Sequence, residues 1–97
     1  MGIETAKKIA LQYLNGPLLG VTPSQFDLEQ RPNLQVALEH CAWMCESIQN
    51  MAENMPEIVA KEKSARWICF VQGVLWLSGL RSINQMRVDN SPKNDFQ

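Results

Sequence analysis

Apolar positions recur at helical intervals along most of the chain, and nowhere with the two-residue alternation of a strand. Ile3, Ala6, Ile9 or Ala10, and Tyr13 fall on one side of a helix over residues 3–15, with Lys7, Lys8 and Gln12 on the other. Asn15-Gly16-Pro17 ends it, because Gly is favoured just past a helix and Pro cannot continue one. Leu18, Leu19 and Val21 make an apolar connector, expected to lie across the main helices. Thr22-Pro23-Ser24-Gln25 has the chemistry of a helix start, so a short helix over 23–29 is expected, anchored by Phe26 and broken at Arg31-Pro32.

Asn33 caps the first long helix, which runs to about Asn54. Leu34, Leu38, Cys41, Cys45, Ile48, Ala52 and Met55 step by four and three, and Ala37, Met44 and Met51 widen the stripe. Val36, His40, Trp43, Ser47 and Asn50 lie toward another face, where Trp43 is either covered by the N-terminal helices or presented to a partner. Pro56 opens a second long helix to Ser78, and the tight turn makes the two antiparallel. Residues equally far from Pro56 then face each other, which sets 65–78 beside 34–47.

Residues 65–80 are apolar nearly all round, with Arg66, Gln72 and Ser78 the only strongly polar side chains. Such a helix must be enclosed by its own chain, by copies of itself or by lipid. The stretch is short of the ~20 residues that span a bilayer, so a soluble core is the expected enclosure. A buried Gln72 needs partners. Gly73 in mid-helix predicts close approach of another backbone, within the domain or from a second copy. Gly79 is a natural C-cap, and Ser82-Ile83-Asn84-Gln85 is a capping box that starts a last helix over 83–88. The fold class is all-α: an antiparallel helical hairpin with short flanking helices, a small helical bundle. It forms one domain over 1–88, with 89–97 as a flexible C-terminal tail.

Composition changes this picture little. Ninety-seven residues make one small domain, and a net charge of −1 gives no general argument for nucleic-acid binding. Residues 1–56 hold three basic against six acidic residues, and 57–97 six against four, so an acidic and a basic side are expected. Three cysteines, an odd number, and no signal-peptide pattern point to free thiols in a reducing cytoplasm.

Candidate chemistry is sparse. Cys41, Cys45 and Cys69, with His40 nearby, are a conceivable zinc set, but their spacing fits no usual knuckle and small core thiols are the better reading. His40 beside Glu39 or Glu46 lacks a nucleophile, so a small metal-binding or catalytic protein is the lowest-ranked class, and no cofactor is implied. Arg66-Trp67 is more informative, because an Arg at the edge of an apolar helix pairs with carboxylate or phosphate and stacks on rings. Trp43, Trp67, Trp76 and Tyr13 offer flat faces, and Lys61, Lys63, Arg81 and Arg87 further charge. Of these, Arg66, Trp67, Trp43, Lys61, Arg81, Arg87 and Tyr13 are the candidate binding set. The bland alternative is that the aromatics are core and Arg66 pairs with Glu39 or Glu46.

The run Glu62-Lys63-Ser64-Ala65-Arg66-Trp67-Ile68-Cys69-Phe70-Val71-Gln72-Gly73-Val74-Leu75-Trp76, followed by Gly79-Leu80-Arg81-Ser82-Ile83 and Met86-Arg87-Val88-Asp89-Asn90, resembles the C-terminal half of small phage and prophage all-α proteins. The helical hairpin opened by Arg66-Trp67 is also similar in outline to phage anti-CBASS sponges, which bind cyclic oligonucleotide signals as helical oligomers. Other small helical phage proteins are anti-CRISPR inhibitors that cover a surface of a larger complex. The resemblance implies a non-enzymatic anti-defence protein in the cytoplasm of a bacterial host, foremost a blocker of a host defence protein complex. The alternative is an oligomeric sponge for a cyclic nucleotide immune signal. The partner is thus a host defence protein or a cyclic nucleotide, with neither membrane nor direct DNA binding expected and a homo-oligomer as a supplement.

Overall fold

The computed structural model describes residues 1–27 and 29–91. These form four helices and no strand: α1 (Ile3–Leu14), α2 (Leu34–Asn54), α3 (Glu57–Leu77) and α4 (Ile83–Asp89). α2 and α3 are the two arms of the antiparallel hairpin, and α1 lies against both. Asn33 caps α2 by accepting from the Val36 amide at 2.9 Å, and α3 starts directly after Pro56. Trp43 meets Trp67 and His40 meets Phe70, so the hairpin register is centred on Met55, one residue before the position inferred from sequence.

Ala6, Ile9, Ala10 and Tyr13 of α1 close over Cys41, Met44, Cys45, Ile48 and Met51 of α2 and Ile68, Val71 and Leu75 of α3. Gln49 of α2 donates to the Lys7 carbonyl of α1 at 3.0 Å, fixing the crossing. The α2 stripe is buried through its middle only, since Leu34 and Ala52 at its ends are exposed. The connector divides: Leu18 is buried, whereas Leu19 points to solvent.

The expected helix over 23–29 does not form. Residues 21–27 run without regular structure as a strap along α2, with the Ser24 amide donating to the Glu39 carbonyl at 3.1 Å and the Phe26 amide to His40 Nδ1 at 3.0 Å. Asp27 Oδ1 then accepts from the Glu29 amide, closing a turn. A helix this short is marginal by itself. Acceptors on α2 satisfy the same backbone donors, so tertiary contacts override the capping signal of Thr22-Pro23.

The C-terminal end holds the second correction. α4 extends through Asp89, which is 2% exposed, and the chain turns back on the core rather than fraying there. Asp89 accepts from the Tyr13 hydroxyl at 2.6 Å and takes a bidentate pair from Arg81. Gln72 donates to Tyr13 Oη at 3.0 Å and exchanges a pair of side-chain hydrogen bonds with Asn90, donating to Oδ1 and accepting from Nδ2. Burial, reinforced by the Asp89 carboxylate, holds the Tyr13 phenol well above its ordinary pKa and so neutral. The partners that a buried Gln72 requires are thus Tyr13 and Asn90. Residues 92–97, the remainder of the expected tail, lie outside the described residues.

Gly79, with φ +77°, ends α3 in a Schellman motif: the Leu80 amide donates to the Leu75 carbonyl and the Gly79 amide to Trp76. Ser82 and Gln85 form the expected capping box of α4. Gly73 differs from expectation. A Cβ there would meet nothing within 4 Å among the described residues, so none of the described elements approaches it or uses a residue that weakens a helix by about 1 kcal/mol relative to Ala.

Candidate functional site

The strap, α2 and α3 together enclose a cavity of about 180 Å³ lined by Phe26, Asp27, Gln30, Pro32, Ala37, His40 and Phe70. Its wall is mostly apolar, with the Asp27 carboxylate and the Gln30 amide as polar groups and no cation among the lining residues. His40 is the hinge pin. Because its Nδ1 accepts from the Phe26 amide, the ring is neutral with its proton on Nε2. Burial lowers the His40 pKa, which favours that same neutral form.

An aromatic row continues from this cavity along the hairpin. His40 stacks on Trp43 with centroids 5.3 Å apart, Trp43 tilts against Trp67 at 5.5 Å, and Phe70 meets His40 edge-on at 6.4 Å. Lys63 Nζ sits 5.0 Å over the Trp67 ring. Trp43 is therefore half-buried among rings, neither sealed in the core nor fully presented.

The candidate binding set is split by the fold. Trp43 and Trp67 come together in the aromatic row. Tyr13 and Arg81 also meet, with the guanidinium 5.7 Å over the ring, but both are committed to buried Asp89, so neither is available to a ligand. Arg66 is exposed and has no ion-pair partner among the described residues; the pairing with Glu39 or Glu46 does not occur. Lys61 lies five residues earlier on α3, about 140° round the helix, so it does not share the face of Arg66. Arg87 is exposed on α4. The conceivable zinc set is not assembled either: Cys41 and Cys45 are buried while Cys69 faces outward, and no potential metal cluster occurs among the described residues. Burial pushes both buried thiols up to about 12.

Sequence reasoning missed Asp27, gave Phe26 only a packing role, and named Lys63 for its charge without its ring partner. The Lys63–Trp67 contact had a readable signal, a cation four residues before a tryptophan on one helix. The strap had none, because its sequence is that of a helix start.

A second feature is the outer face of α3. Phe70 and Trp76 are each 53% exposed, Leu77 78% and Leu80 42%, with Cys69 and Gly73 exposed between them. The apolar stretch is thus enclosed by its own chain on one side only. No helix among the described residues is long and apolar enough to cross a membrane.

No family model matches the chain, no curated protein matches its sequence, and no solved structure matches its fold. The structure defines a small all-α bundle with a strap-roofed apolar cleft.

Proposed function

We propose that the protein acts by binding, without catalysis, as a phage-type anti-defence inhibitor that covers a surface of a host defence protein complex. The observation that carries this reading is the size and chemistry of the cleft under the strap. At about 180 Å³ it holds about one side chain, well below the ~300–1,000 Å³ of pockets that enclose whole small molecules. An apolar socket that receives one anchoring side chain is the usual centre of a protein–protein contact. Asp27 at its rim favours an anchor that is apolar or carries a cationic tip. The strap belongs to the long connection between Leu14 and Leu34, and a connection of that length between two helices is the kind that carries function.

The cyclic-nucleotide sponge is the less favoured reading. An anionic ligand is suited by converging cations, whereas Arg81 is tied to Asp89 and the cleft presents Asp27. The test is phage challenge of bacterial strains that each carry one defined defence system and express this chain. Restored plaque formation in one strain is expected. Restoration in none overturns the inhibitor reading. In parallel, cyclic di- and trinucleotides should leave the melting temperature unchanged; a shift abolished by Arg66→Ala would install the sponge in its place.

A further inference from the structure

The exposed face of α3 is continuous and nearly free of charge. Arg66, Cys69, Phe70, Gly73, Trp76 and Leu77 share one face of α3 through spacings of three and four residues, Leu80 follows just past the helix end, and no acidic residue interrupts them. We propose that this face is a homodimer interface in which two copies cross antiparallel about a two-fold axis at Gly73. The inference is independent of the function proposed above.

Three observations select a second copy as the occupant. First, the stripe is self-complementary about its glycine. A two-fold axis at Gly73 sets each residue of the helix level with the one equally far beyond it, so Phe70 comes level with Trp76 and Cys69 with Leu77 of the other copy. Large side chains then fall on both sides of the smallest one, and the missing Cβ lets the two backbones come close. That gives a use to the open space around Gly73, which the single chain leaves unexplained. Second, the charges suit only the antiparallel arrangement. The two Arg66 side chains lie at opposite ends of the contact, about 21 Å apart along the axis, whereas a parallel pair would set them side by side. Third, the area suits a weak, concentration-dependent pairing. With an aromatic residue taken at about 200 Å² and leucine at somewhat less, the exposures of Phe70, Trp76, Leu77 and Leu80 leave roughly 420 Å² of apolar surface per copy. Two copies then bury about 840 Å² at most, the size of a weak contact that forms at high concentration.

The pairing also reaches the cleft. Phe70 is both a wall of the strap cavity and a member of the stripe, so Trp76 of the second copy braces that wall from outside. The dimer carries two such cavities related by the two-fold axis.

Light scattering after size exclusion tests the proposal directly. The wild-type chain is expected at twice 11.0 kDa at high micromolar concentration and to dissociate on dilution. Gly73→Leu adds bulk where a single copy has open space, so helix content stays unchanged while the dissociation constant rises at least tenfold. In a Cys69→Ser background, Gly73→Cys places two thiols on the axis, and mild oxidation should yield a disulfide-linked dimer. The matching Leu11→Cys variant, exposed on α1, should not cross-link. A wild-type chain that stays monomeric at every concentration overturns the proposal. So does a dimer that survives Gly73→Leu and gives no cross-link from Gly73→Cys, since its interface then lies elsewhere.

Discussion

Replacing Asp89 by alanine should be among the most damaging single changes in the molecule, although only eight residues follow it in the sequence. Its carboxylate is 2% exposed, accepts from the Tyr13 hydroxyl at 2.6 Å and receives a bidentate pair from Arg81, whose side chain is 17% exposed. Removing one partner of a buried ion pair typically costs about 3–5 kcal/mol, because the other charge remains without compensation. Arg81 keeps some access to water, which places its share at the low end. The Tyr13 hydroxyl loses its acceptor while still receiving the Gln72 amide, which adds about 1 kcal/mol. The expected loss is about 3–4 kcal/mol, a large part of the roughly 5–10 kcal/mol available to a domain of this size. Urea unfolding followed by circular dichroism should show the midpoint falling with the slope unchanged. Tyr13→Phe is the calibrating variant. It deletes one hydrogen bond and leaves the Asp89–Arg81 pair intact, so about 1 kcal/mol is expected. A loss below 1 kcal/mol for Asp89→Ala would refute the assignment of this network as the clasp that holds α4 on the core.

Two further outcomes follow from titratable groups. His40 has a pKa lowered by burial, so the unfolded chain binds the proton more readily as acid is added. Stability should be fully present above the unfolded value of about 6.5 and decline as pH falls through the lower folded value; His40→Gln should flatten that slope. The thiols should divide, with Cys69 labelled by a maleimide in dilute native protein, while Cys41 and Cys45, buried and pushed up to about 12, react only on unfolding. Native labelling of more than one thiol per chain would contradict the burial of the α2 stripe.

The helical skeleton was legible because each signal was local or periodic. Asn33 and Ser82 cap the helices they were expected to cap, Gly79 ends α3, and Pro56 starts it. The hairpin register followed from chain geometry to within one residue. What sequence did not show was decided by partners distant along the chain. Thr22-Pro23-Ser24-Gln25 reads as a helix start, and only the acceptors at Glu39 and His40 turn it into a strap. Asp89 and Asn90 read as tail, since polar residues near a terminus carry no sign of Tyr13, Arg81 and Gln72 awaiting them in the core. The same network withdrew Tyr13 and Arg81 from the candidate binding set, because an Arg near a Tyr looks alike in sequence whether it awaits a ligand or is already paired. The apolar stretch over 65–80 was correctly singled out as needing cover. Its pattern did not reveal that the domain covers one face, at Ile68, Val71, Gln72 and Leu75, and leaves the opposite face bare.

The central claim is that the strap cavity receives a side chain of a protein partner, and filling that cavity tests it most directly. Ala37 lines it and lies outside the buried core cluster, so Ala37→Trp should occupy the space and leave the bundle folded. In phage challenge of the strain that the wild-type chain disarms, the account predicts that Ala37→Trp, expressed and melting as wild type, restores at least tenfold fewer plaques. Undiminished restoration by that variant would contradict it.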